Sequence, residues 1–167
     1  MLTRLAHLAA TIAVACAFAL ALALAPRDTH AQLADAKALT AEAVKTMLAT
    51  AEATARANRW NVSIAITDAN GDLLGFLRLD GASLGSVDIS LGKARTASRY
   101  ARPTKVYADR VLADTLTILS VPGVVALQGG LPIVVDGRVI GAVGVSGVTS
   151  AQDEQVAAAA IAAVVKP

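Results

Sequence analysis

Two dipeptides constrain this chain more than any other feature. Asn70-Gly71 separates "NVSIAITD" from "DLLGFLRL", and Asp136-Gly137 separates "LPIVV" from "RVIGAVGVS". Asn-Gly and Asp-Gly supply the positive backbone angles of tight hairpins, and apolar runs on both sides make them strong local signals for antiparallel pairing. Val62, Ile64 and Ile66 alternate with Ser63, Ala65 and Thr67, the period of a strand. A further short strand is expected around Val124 to Leu127, just ahead of the second hairpin.

Helical spacing fills the rest. From Leu33 to Asn58, Val44, Leu48, Ala51 and Ala55 form one stripe, and Asn58 can serve as the stop. From Ser83 to Ala101, Val87, Leu91, Ala94 and Ala101 share one face, while Asp88, Arg95, Arg99 and Arg102 share another. Pro103 suits the first turn of a third helix carrying "TKVYADRVLADTLTIL" as far as Pro122-Gly123, with Arg102 held extended before it. Ser150, with Asp153 three residues on, marks the start of a last, alanine-rich helix to Val165. The order is helix, two strands, two helices, three strands, helix. That order predicts one α+β domain, a five-stranded antiparallel β-sheet flanked by α-helices.

The first 31 residues carry a different signal. Arg4 and His7 precede an apolar run from Leu8 to Ala25, and Thr29-His30-Ala31 ends in a small residue, the order of a secretory signal. Residues 1–31 are therefore expected to be removed, leaving residues 32–167 as a single domain in the periplasm or outside the cell, with no membrane contact unless the segment is retained. Cys16, His7 and His30 would leave with it, so the mature chain would hold neither cysteine nor histidine. Its charge, about +1 by the residues that remain, gives no field to draw it to nucleic acid. Aromatic residues make up 3% of the chain, too few for the stacking platforms of single-strand binders. No metal-ligand spacing is present.

The glycine-rich stretch Gly129–Gly147 invites three readings. A phosphate loop would have to follow a strand and open a helix, but Gly141 and Gly144 lie inside a strand and no Lys-Ser or Lys-Thr pair follows. A nucleophile elbow fails at its last position, since Val148 stands two residues after Ser146, and the usual histidine base is missing. Strand alternation gives the better account. Ile140, Ala142, Gly144 and Ser146 form a small-residue face that lets a helix, a neighbouring subunit or a flat ligand approach closely.

Lys93, Arg95, Arg99, Arg102 and Lys105 place five cations in thirteen residues. Such a set is either a solvated helix face or an anchor for a small anionic ligand, with Arg102 on a stiff Arg-Pro-Thr turn suited to bidentate contact. Asp80-Gly81 is either a turn or a carboxylate aimed at that ligand. Gly129 and Gly130 are either a bend or a nest of backbone amides.

The segments "LDGASLGSVDISLGKARTA", "RPT", "GGLPIVVDGRVIGAVGVSG" and "QDEQVA" resemble, in order, the GlcG/HbpS-like family, which includes secreted haem-binding proteins. The resemblance runs from about Ala34 to Ala163. It implies a profilin-like fold, homo-oligomers that are often octamers and, in some members, binding of haem or a related anionic tetrapyrrole. Without histidine, a haem ligand would have to come from Tyr100, Tyr107, Met47 or a lysine, or the ring would be held without strong ligation. Tyr107, close in sequence to the basic residues, is the expected site. Two other readings stand beside it. One is an enzyme or accessory protein for a small hydroxy or keto acid, with Lys93, Asp80, Arg102 and Thr104 around the carboxylate. The other is a purely structural oligomer assembled through the small-residue strand face and the first helix.

Overall fold

The computed structural model describes residues 37–165; the expected secretory segment lies outside them. Helix α1 spans Ala41–Ala57, strands β1 and β2 span Ser63–Asp68 and Leu73–Arg78, and helices α2 and α3 span Ser86–Arg99 and Lys105–Leu112. A 3-10 turn at Leu116–Ser120 leads to strands β3, Gly130–Val135, and β4, Arg138–Ser146, and then to helix α4, Ser150–Ala162. Four strands form one antiparallel sheet in the order β2-β1-β4-β3.

Local signals explain the element ends. The Thr40 hydroxyl accepts from Ala43 N at 3.2 Å, so α1 starts at Ala41 and residues 37–40, expected to be helical, are not. Thr149 and Gln152, rather than Ser150 and Asp153, form the capping box of α4. Asp136 and Gly137 both take positive φ, as a two-residue hairpin requires. At the first hairpin only Gly71 does so, at φ 88°. That turn is a three-residue loop with glycine in the left-handed position, and the Asp68 carboxylate accepts from Asn70 N and Asp72 N.

The sheet carries two unlike faces. Val62, Ile64, Ile66, Ile133, Val143 and Val145 meet Val44, Met47, Ala51 and Ala55 of α1 and Val156, Ala157 and Ala160 of α4 in the apolar core. The opposite face is small and polar, and α2 covers it with Ser86, Ser90, Ala94 and Ala97. The Ser63 and Ser86 hydroxyls lie 2.8 Å apart. A Cβ at Gly144 would collide with Ser90 O and Ala94 N, so glycine there is what lets the helix backbone lie on the strand. The small-residue face is thus occupied by this chain's own helix and is closed to a neighbouring subunit. Of the face shared by Val87, Leu91, Ala94 and Ala101, only Ala94 is buried: Val87 and Leu91 are half-buried, and Ala101 is exposed.

One expected element is shorter and another does not form. The third helix ends at Leu112, where Asp114 turns left-handed at φ 57°, so it does not reach Pro122. No strand forms over Val124 to Leu127, and the sheet has four strands rather than five. The reason is where that segment finds its partners. Val125 N donates to Thr96 Oγ1 at 2.9 Å, Thr96 Oγ1 approaches Gly123 O at 3.3 Å, and Tyr100 OH donates to Pro122 O at 2.6 Å. The segment is tied to α2 and has no strand ladder to complete.

Candidate functional site

Five of the residues singled out from the sequence come together where the end of β4 meets the start of β3. Lys93, 1% exposed, extends from α2 and donates to Asp153 Oδ2 and to Val145 O, both at 2.8 Å. Asp153, 2% exposed, sits on α4 on the far side of the sheet and also accepts from Val148 N at 3.2 Å. Burial pushes the Asp153 pKa above the ordinary carboxylate range, against the lowering pull of Lys93 and the backbone amides. A Cβ at Gly129 would lie 2.8 Å from Lys93 Nζ, so the bend leaves room for the ammonium. Gly130 N donates to Thr104 Oγ1 and Thr104 N to Gly130 O, each at 2.9 Å. Tyr107 follows one turn later on α3 and is also buried. Lys93 is therefore a clasp between the two helical layers and not part of a cationic surface.

The other cations diverge. Arg95 Nε donates to Gly71 O at 3.2 Å and Arg99 Nε to Asn70 O at 2.8 Å, so both pin the first hairpin. Lys105 is paired with Asp109 on its own helix. Arg102 is exposed at the turn before α3, where it and Arg110 act electrostatically on Tyr107. Asp80 does not approach this group at all; it lines a separate cleft with Arg56 and Arg59.

Beside Tyr107 and Gly129 lies a half-open groove of about 310 Å³ between α3 and the 126–128 segment. Ala108, Val111, Leu112, Ala126 and Leu127 make it mainly apolar, and Asp109, Gln128 and Ser150 complete its lining. Leu112, Leu116, Leu119 and Leu127 are 83%, 59%, 57% and 46% exposed, an apolar surface that a lone chain leaves in water. Glu154 stands one helical turn beyond Ser150, and its Oε2 is the one buried side-chain polar atom without a partner among the described residues. No sequence signal marks this groove, because its two leucines, Leu112 and Leu127, lie on separate short segments with no shared period.

A family model described as haem-degrading protein HbpS-like matches residues 39–162. The chain belongs to the HbpS-like family. Within and around that family, protein GlcG of Escherichia coli (strain K12) is 43% identical over 108 residues, covering 65% of this chain and 81% of GlcG. A double mutant of Streptomyces reticuli HbpS superposes with a TM-score of 0.75 at 35% identity, covering 85% of this chain and 96% of that one. The PduOC:heme complex superposes with a TM-score of 0.70 at 30% identity, covering 77% and 96%. The family and these structures support haem as a candidate ligand of this HbpS-like chain.

The groove residues fit one part of a haem and not another. Apolar walls suit the ring; the charged residue lining the groove is Asp109, while Arg102 and Arg110 act electrostatically on the neighbouring Tyr107. Among the described residues iron has no ready partner. The sequence places both histidines, His7 and His30, outside the described residues. Met47 is sealed in the core, and Lys93 is committed to Asp153. The Tyr107 pKa is raised by burial, which disfavours the tyrosinate that binds iron. Among the described residues no group of three or more His, Cys, Asp or Glu could hold a metal ion, and no helix is long and apolar enough to cross a membrane.

Proposed function

We propose that this chain is an exported, homo-oligomeric binding protein for haem or a related anionic tetrapyrrole, held by its ring and carboxylates rather than through strong iron ligation. The observation that carries the reading is the mainly apolar groove lined by the exposed Leu112 and Leu127. Ala108, Val111, Leu112, Ala126 and Leu127 would contact the ring, and Arg102 and Arg110 would pair with its carboxylates. Haem supplies redox and oxygen chemistry when bound; the chain's own part is to shield one face of the ring and fix its orientation. The groove is half-open, so a second copy would complete the enclosure. Periplasmic or secreted placement rests on the order of residues 1–31 and on the family resemblance.

Haemin titration followed at the Soret band tests this. A saturable, stoichiometric change is expected to persist in Tyr107→Phe, since burial argues against a tyrosinate ligand. Loss of the change in that variant would make Tyr107 the iron ligand, and no saturable change in either protein would overturn the proposal.

A further inference from the structure

A second cleft, of about 360 Å³, lies at the end of α1 and is lined by Arg56, Arg59, Trp60, Asn61, Leu79 and Asp80. Its volume is at the small end of ligand sites. Arg59 holds the most unusual backbone position in it. Trp60 N donates to Ala55 O at 2.9 Å and Arg59 N to Arg56 O at 3.0 Å, the two bonds of a Schellman helix end. The position that glycine ordinarily fills in that motif is Arg59, at φ 59°. A bulky residue kept at a strained position, lining a cleft, points to a use for its side chain. The floor is also tightly built: Cβ atoms at Gly81 and Gly147 would collide with Asn61, so two glycine turns clamp it.

The charges decide the ligand class. Arg56 is already paired with Glu52 at 2.7 Å. Among the described residues neither Arg59 nor Asp80 has an ion-pair partner, although both line the same cleft. The C-terminal end of α1 adds the negative pole of a helix, which favours a cation and disfavours a lone anion. One guanidinium, one carboxylate and a negative helix end together suit a ligand that carries both signs.

We propose that this cleft binds a small zwitterion, a molecule with a carboxylate for Arg59 and an ammonium group for Asp80, of the α-amino acid class. The site is independent of the tetrapyrrole groove. Trp60, the sole tryptophan of the chain, lies in the cleft and reports on occupancy through its emission.

The test is titration of the full chain with L-alanine, L-lactate and propionate, which share a size and differ only in the α-substituent, followed by Trp60 emission and by calorimetry. Alanine is expected to saturate and to bind about tenfold or more tighter than propionate. Asp80→Asn is expected to bring alanine to the level of lactate. Arg59→Gly suits the left-handed position better than arginine, so it should fold with an equal or higher Tm and still lose alanine binding by about tenfold or more. No saturable signal with alanine, propionate binding as tightly as alanine, or Arg59→Gly binding alanine like the unchanged chain would each overturn the proposal; tightest binding by lactate would overturn the ammonium assignment.

Discussion

Replacing Lys93 with methionine deletes the clasp between α2 and α4 while roughly keeping the volume of the side chain. Asp153 would then be a carboxylate only 2% exposed, left with the backbone amides of Val148 and Gly147, and Val145 O would lose a donor. Removing one partner of a buried ion pair costs about 3–5 kcal/mol, because the other charge stays behind in low dielectric. For a domain of this size that corresponds to a fall in Tm on the order of 4 °C per kcal/mol, or roughly 12–20 °C. Asp153→Leu should cost a similar amount by stranding the ammonium. The double substitution is the informative case, since it leaves no buried charge, with Val145 O and Val148 N among the backbone groups that lose a partner. Those two groups cost about 1–3 kcal/mol each, so the double variant should resemble a single one instead of reaching their sum. Urea unfolding of all four proteins at one concentration measures the cycle. Single variants within about 1 kcal/mol of the parent, or a double variant whose loss equals the sum, would refute the clasp.

Other consequences of the structure are open to direct measurement. Gly144→Ala should destabilise by about 1–3 kcal/mol in urea, because α2 must lift off β4 to admit the methyl group. Thr149→Ala removes half of the α4 capping box and should cost about 0.5–2 kcal/mol in the same assay. The Tyr107 pKa is raised by burial, so in a Tyr100→Phe background the phenolate absorbance should appear above the ordinary value of about 10. The unfolded chain then loses its proton first, so the stability tied to Tyr107 is full below about pH 10 and declines as pH rises towards its folded pKa. A midpoint at or below the ordinary value would contradict its burial.

The elements legible in the sequence are those whose signals are local. Asp136-Gly137, the Val62–Ile64–Ile66 alternation, the Asn58 stop and the small-residue face of β4 each depend on neighbours within a few residues. The expected strand at Val124 to Leu127 has strand-like composition, but Thr96 and Tyr100, more than twenty residues earlier, take its polar groups first. Lys93 belonged by spacing to a cationic helix face, while its partner Asp153 lies sixty residues away and on the other side of the sheet. No periodicity encodes such a pair. Asp80 lies in a turn, one of the two alternatives its sequence offers, but which arginines share its cleft is fixed by how β2 ends beside α1. Arg59 did leave a trace, a bulky residue directly after a helix stop where glycine would be ordinary.

The tetrapyrrole groove is the central claim, and a haemin titration of Leu112→Asp tests it most directly. Leu112 is 83% exposed, so its replacement should leave the fold intact, while a carboxylate on the groove wall should both remove apolar contact and repel the ligand's own carboxylates. Losing that contact alone is worth about tenfold or more in affinity. The account predicts saturable Soret binding by the unchanged chain and a loss of at least that size in the variant, at equal Tm. Binding of the same strength in both proteins would place the ligand elsewhere and contradict it.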